Sequence, residues 1–268
     1  KALKDFFAGK AISGANGAAW LSPGDRSFVI QTALDVCGGT VGDWSCALEK
    51  KEKIFERLAS GLSPIQIEGL RALSEDMYLP YPVANDVQKA PGYIAYLGIG
   101  LDMIYPFSRS ERAGELMKIA VATIRYMIMK DPEYNLDEFD LHKCREKILE
   151  ASELLDATNP DISKFRDKGG KLIILHGIED EMITPKSTVE YYESLKNKFG
   201  DELNDFVKLY LLPGYGHNKG SFIPRYDFIK TLENWVENGI SPDRLTIKDA
   251  LPENNGRTMT IYPYQGHK

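Results

Sequence analysis

Apolar and polar positions follow different rules in the two parts of this chain. Up to about residue 160 the apolar residues recur every three or four positions. ALEKKEKIFERLAS (47–60), SPIQIEGLRALSED (63–76), SRSERAGELMKIAVATIRYMIMK (108–130) and DLHKCREKILEASELLDAT (140–158) each predict an amphipathic helix. The second opens with Ser63 at a capping position and Pro64 in the first turn. Between the helices, Pro80, Pro82 and Pro91 with Gly92, Gly98 and Gly100 mark irregular connections. The aromatic and methionine positions of 103–129 read as core.

Beyond residue 170 the period changes. KLIILHG (171–177) is a short continuous apolar run between Gly169-Gly170 and Gly177, the pattern of a strand covered on both faces in a parallel sheet. A helix is expected over 185–199, with Thr184 at its cap and Gly200 at its stop. FVKLYLLPG (206–214) is a second strand, followed by a glycine-rich loop holding His217 and an amphipathic helix RYDFIKTLENWVENG (225–239) that stops at Gly239. Strand, acidic loop, helix, strand, histidine loop, helix is the closing half of an α/β sheet. Two parallel strands alone would leave edges open and faces bare, so the first half of the sheet is expected on a segment other than this one.

Composition narrows the function classes. A net charge of −6 over 268 residues argues against a nucleic-acid partner. No run of 18 apolar residues is present, so no membrane-spanning helix is expected. The opening KALKDFFAGKAISGANG has too short an apolar stretch for a signal peptide, and a cleaved one would leave no trace, so secretion stays open. The cysteines number three. Cys37 and Cys46, with eight residues between them, are a candidate disulfide or two thiols, and Cys144 stands in a helical pattern. Without a C-x-x-C or a nearby histidine, no metal site is expected.

The two strand ends carry the candidate chemistry. The first offers Glu179, Asp180 and Glu181, and the second offers His217. Neighbouring parallel strands lie about 5 Å apart, so side chains from adjacent strand-end loops can meet. A carboxylate there fixes the tautomer of an imidazole and stabilises its protonated form. Asp180 is central in its loop and short, which suits fixed geometry. Each residue alone has a plain structural reading, as an exposed loop histidine and a helix cap; acid before histidine on successive strand ends is what suggests a hydrolase. A nucleophile is missing: no G-x-S-x-G occurs, Ser13 in AISGANG lacks the preceding glycine, and Ser221 is too close to His217.

DATNPDISKFRDKGGKLIILHGIEDEMITPKSTVEYYESL (156–195), LYLLPGYGHNKG (209–220), TLENWVENGISPDRL (231–245) and RTMTIYPYQG (257–266) resemble the tannase and feruloyl esterase family, with AWLSPGDRSFVIQTALDVCGG (19–39) and MIMKDPEYNLDEFD (127–140) resembling its lid. The resemblance covers nearly the whole chain but only the C-terminal portion of a family member. It implies the C-terminal part of an α/β-hydrolase parallel sheet with an inserted, mainly helical lid domain. Residues 1–36 would be a core remnant leading into the lid, 37–160 the lid, and 161–268 the core with the acid and histidine loops. It implies a secreted or periplasmic serine esterase acting on galloyl- or feruloyl-type aromatic esters. Asp180 would be the triad acid and His217 the base, with the serine on an N-terminal segment or a partner chain.

Two departures from the family pattern bear on this. The family's cysteine after the triad histidine, bonded to one beside the serine, is replaced here by Asn218. The family's calcium loop corresponds to CGGTVGDWSC (37–46), where Asp43 is the lone carboxylate, so no cofactor is expected. Tyr93, Tyr96, Met103, Tyr105 and Phe107 are candidates to shape an acid-binding pocket. The alternatives are a catalytically silent hydrolase-like binding module, and a different activity of the same fold such as a peptidase.

Overall fold

The computed structural model describes residues 21–38, 44–94, 113–180 and 182–266. The chain divides into two compact units, one of Lys1–Thr40 with Ser45–Thr158 and one of Val41–Trp44 with Asn159–Lys268.

The first unit is mainly helical. Helix α1 (Pro23–Val36) starts with a reciprocal capping box in which Ser22 Oγ accepts from Asp25 N at 3.1 Å and the Asp25 carboxylate accepts from Ser22 N at 2.8 Å. Its buried positions Val29, Ala33 and Val36 follow the helical period. The helix expected over 47–60 is two, α2 (Trp44–Glu49) and α3 (Lys51–Leu58), because Lys50 leaves helical dihedrals at φ −98° and ψ 16°. Helix α4 (Pro64–Ser74) carries the expected Ser63 cap, again as a capping box, closed by Gln66. Ile54, Phe55 and Leu58 of α3 are buried, as are Leu70 and Leu73 of α4. Arg71 stacks 4.2 Å above the Phe55 ring while gripping Glu52 through two bonds of 3.0 and 2.8 Å.

A two-residue antiparallel pair, β1 (Met77–Tyr78) and β2 (Lys89–Ala90), precedes α5 (Ala113–Ala122). Helix α5 runs on into a π-helical turn over Thr123–Ile128, where Met129 N reaches Ile124 O at 2.8 Å. The next helix, α6 (Arg145–Leu155), begins five residues later than its periodicity predicts, because Asp140 Oδ1 captures the N–H groups of His142 and Lys143 in a turn (2.9 and 3.0 Å). Cys144 therefore stands at the N-cap position of α6, without a side-chain capping bond, instead of lying within the helix. Burial and the contact with Cys144 push the Tyr134 hydroxyl up to about 12.

Cys37 and Cys46 are thiols, not the disulfide that their spacing allows. Each is placed by its own helix: Cys37 N closes the last turn of α1 onto Ala33 O, and Cys46 is buried in α2. Lys50 is their shared neighbour, its ammonium pushed up by a hydrogen bond to Cys46 and by attraction to both sulfurs.

In the second unit, α7 (Ser163–Asp167) leads into β3 (Leu172–Gly177), which pairs in parallel with β4 (Val207–Leu212) from Leu172↔Val207 to Gly177↔Leu212. Helix α8 (Pro185–Phe199) makes the crossover and buries Val189, Tyr192, Leu195 and Phe199. Thr184 stands at its N-cap position without a side-chain capping bond, and Gly200 ends it at φ 60°. Strand β4 is the covered one; β3 leaves Leu175 37% exposed and, among the described residues, has a strand on only one side. The charge of the inward Lys208 is accommodated because its ammonium bonds Asp243 at 2.8 Å and lies 6.0 Å from the Trp235 ring.

The strand content is larger than the sequence pattern predicts. β5 (Pro224–Arg225), β6 (Leu245–Asp249) and β7 (Thr258–Ile261) form an antiparallel sheet in that order. β5 takes Arg225, the first residue of the helix expected from 225, and Asp227 caps the helix, so α9 spans Phe228–Asn238 and ends at Gly239 in the left-handed region. Tyr210, Leu212, Phe222, Leu245, Ile247 and Ile261 form one cluster, and Tyr264 N bonds Leu209 O at 2.7 Å. The small sheet thus covers β4. Strand β6 alternates strictly between buried and exposed, but a carboxylate, Asp249, fills its last inward position and interrupts the apolar signal.

Candidate active site

The acid loop and the histidine loop are laced together by backbone bonds. As β3 and β4 end, Ile178 N donates to Leu212 O (3.0 Å) and Glu179 N donates to Tyr215 O (3.0 Å). This approach requires a glycine at 177, since a Cβ there would sit 2.1 Å from Tyr215 O. The loop then folds around its own aspartate. Asp180 Oδ1 accepts from Met182 N at 2.9 Å and Ile183 N at 2.8 Å, the local turn that a short carboxylate favours.

The other oxygen, Oδ2, faces two imidazoles. His217 Nδ1 is 3.2 Å away and His176 Nε2 is 3.6 Å away. Asp180 is 8% exposed, whereas the His217 side chain is 41% exposed and open to a reactant. Burial pushes the Asp180 carboxyl up, but the nearby His176 ring and hydrogen bonds from the Ile183 and Met182 N–H groups and His217 together hold it well below the usual carboxylate range. It is a fixed negative charge at neutral pH. His217 bonded through Nδ1 turns Nε2 away from Asp180, the orientation in which an imidazole can exchange a proton with a third group.

Local geometry holds His217 in place. Gly216 N bonds Lys219 O at 2.7 Å and Tyr215 bridges Gly220, so His217 and Asn218 form the tip of a tight turn. Asn218 adopts φ 58°, a left-handed conformation that asparagine tolerates better than most residues, and its Oδ1 accepts from the Tyr215 hydroxyl at 3.1 Å. The exit of the loop is held by Asp249, which accepts from Ile223 N (3.1 Å), Leu251 N (3.1 Å), Asn254 Nδ2 (2.6 Å) and Arg257 Nη2 (2.7 Å). Arg257 also donates to Ser221 O.

These bonds bring the Asp249 carboxyl down to about 2 against the upward push of burial. The sign of the pH dependence follows. The contribution is present above the unfolded-state value of about 3.9 and is lost as pH falls through about 2. Acid unfolding followed by circular dichroism is expected to be shifted to higher pH by Arg257→Gln, which removes one of the groups that lower Asp249. An unchanged acid midpoint would count against this latch.

Of the residues expected at the site, Asp180 and His217 meet. Glu179 supplies its backbone to the contact with Tyr215, and Glu181 lies outside the described residues. Ser221 is tied through its carbonyl to Asn254 and Arg257. Of the pocket candidates Tyr93 is half-buried in the first unit, its N–H on Leu73 O. Ser13, Asp43, Tyr96, Met103, Tyr105 and Phe107 lie outside the described residues. Among the described residues no group of three or more His, Cys, Asp or Glu is placed to hold a metal ion. His176 was not expected at the site, although it stands four residues before Asp180 in the KLIILHG run that carries the family resemblance.

Residues 67–267 match the family model described as tannase and feruloyl esterase. The chain belongs to that family. Among proteins similar to it is an uncharacterized esterase of Agrobacterium fabrum, 28% identical over 95% of this chain and 51% of that protein. Another is a mono(2-hydroxyethyl) terephthalate hydrolase of Piscinibacter sakaiensis, 26% identical over 68% of this chain and 29% of that protein. Among solved structures, feruloyl esterase B from Aspergillus oryzae superimposes with a TM-score of 0.72 at 17% identity, covering 97% of this chain and 56% of that one. The fold is accordingly of the α/β-hydrolase type, and the chain spans about half the length of the first of these relatives.

Proposed function

We propose that the complete protein is a carboxylic ester hydrolase acting on aromatic acid esters of the galloyl or feruloyl type. His217 is its general base and Asp180 the residue that orients it. The observation that carries this reading is the 3.2 Å contact from His217 Nδ1 to a buried, ionised Asp180. A serine on a segment or partner chain beyond these residues attacks the ester carbonyl while His217 takes its proton. His217 then returns that proton to the departing alcohol, and water repeats the sequence on the acyl-enzyme. Asp180 keeps its charge throughout and stabilises the imidazolium. The helical segment that precedes β3 in sequence is the lid, and the protein acts as a secreted or periplasmic enzyme.

One point supports the substrate class and another the placement of the nucleophile. Relatives bear the names feruloyl esterase and terephthalate monoester hydrolase, both denoting esters of aromatic acids. The 268 residues contain no G-x-S-x-G, in keeping with a nucleophile supplied from elsewhere. The test is turnover by the complete protein of methyl ferulate and methyl gallate beside ethyl butyrate and an aminoacyl anilide. Preference for the aromatic esters is the expected result. Faster anilide cleavage would make it a peptidase, and no turnover with an intact serine segment would make it a binding module.

A further inference from the structure

We propose that His176 is a positioning residue of this site, which holds the acid loop and presents an N–H to the oxygen of Asp180 that serves His217. The inference rests on the reading of Asp180 and His217 as orienting acid and base. His176 stands near the end of β3 with its side chain 10% exposed, and each ring nitrogen has a partner. Nδ1 lies 2.6 Å from Thr188 Oγ1 in the first turns of α8, and Nε2 lies 3.1 Å from Ile183 O.

The carbonyl of Ile183 can only accept, so Nε2 carries a hydrogen, and in the Nε2–H tautomer Nδ1 accepts from the Thr188 hydroxyl. That Nε2–H also leans on Asp180 Oδ2 at 3.6 Å, too long for a full hydrogen bond but close enough for an attractive dipole. Ile183 meanwhile gives its own N–H to Asp180 Oδ1. His176 therefore acts on the carboxylate twice, through the backbone of residue 183 and through its own N–H. Strand, acid loop and helix α8 are joined at one ring, which leaves Asp180 one orientation in which to meet His217.

The test is kinetic and spectroscopic, with the complete protein. His176→Leu removes the N–H, whereas His176→Gln can place an amide N–H where Nε2 stood. His176→Leu is expected to lower kcat by about three- to tenfold, the scale of losing the neutral hydrogen bond to Ile183 O that steadies the acid loop, with KM within about twofold. His176→Gln is expected to recover most of that loss. Nitrogen NMR of the parent, labelled in histidine, is expected to show His176 as the Nε2–H tautomer, and Thr188→Val to perturb its Nδ1 resonance.

A folded Leu variant with parental kcat overturns the proposal, as do Leu and Gln variants equally impaired, or a ring protonated on Nδ1 alone. If the Leu variant does not fold, the Gln variant and Thr188→Val decide: a parental tautomer and a kcat unchanged in Thr188→Val overturn it. Asp180→Asn and His217→Ala are run in parallel. If these keep parental activity, the acid–base reading itself fails. If they lose activity while His176→Leu keeps it, only the role of His176 fails.

Discussion

His217→Ala in the complete protein is expected to lower kcat on methyl ferulate by roughly 10⁴–10⁶-fold, with KM changed little. The size of the loss follows from the role. An unassisted serine hydroxyl is almost wholly protonated at neutral pH, and only a base held at the right distance makes it a nucleophile. Removing the imidazole leaves substrate binding and any oxyanion stabilisation in place, so residual turnover is expected. Folding is expected to survive, because the side chain is 41% exposed and Asp180 keeps both backbone donors, Met182 and Ile183. Measuring kcat, KM and Tm on one preparation separates the outcomes. A folded variant within tenfold of parental kcat would remove His217 from the mechanism.

Gly177→Ala is expected to damage the same site without touching either titratable group. The added Cβ would lie 2.1 Å from Tyr215 O and 2.6 Å from Tyr215 C, both backbone atoms that cannot rotate away. The acid loop must then move off the histidine loop, straining the Glu179–Tyr215 bond and opening the 3.2 Å contact between Asp180 and His217. Overpacking of this kind costs about 1–3 kcal/mol, and misplacing catalytic groups by an ångström costs roughly 10²-fold in rate. Gly169→Ala is the control, since φ is +73° there but nothing lies within 4 Å of the added carbon. It is expected to lower Tm modestly and leave kcat near parental. Urea unfolding and kcat for the pair make the comparison, and equal kcat values would show that the loops are not held by this close approach.

Much of the second unit was legible along the chain because its information is local. KLIILHG announces itself as a strand and so does its parallel partner FVKLYLLPG, although only the second is covered, since β3 leaves Leu175 exposed. In the first unit Ser63 caps α4 as expected, and in the second Gly239 ends α9 where a left-handed residue is needed. Periodicity failed where the local backbone departed from it: Asp140 pulled residues 140–144 out of α6 by bonding the His142 and Lys143 N–H groups, and the non-helical dihedrals of Lys50 divide α2 from α3. The β5–β6–β7 sheet escaped because its strands are short and Asp249 occupies an inward position in β6. That same carboxylate is what holds the exit of the histidine loop.

By itself the sequence determined the order of the chemistry: a carboxylate at the end of one strand, a histidine at the end of the next, and no serine elbow among these 268 residues. Order along a chain is a covalent fact and can be read directly. Only the tertiary structure decided which acid meets His217, and that Oδ2 of Asp180 is shared with His176. It also decided that Cys37 and Cys46 stay thiols. These outcomes depend on distances of a few ångströms between residues up to 37 positions apart, such as Asp180 and His217. Backbone bonds between Glu179 and Tyr215 and the absence of a side chain at Gly177 set them, and no local pattern records how closely two loops will pack.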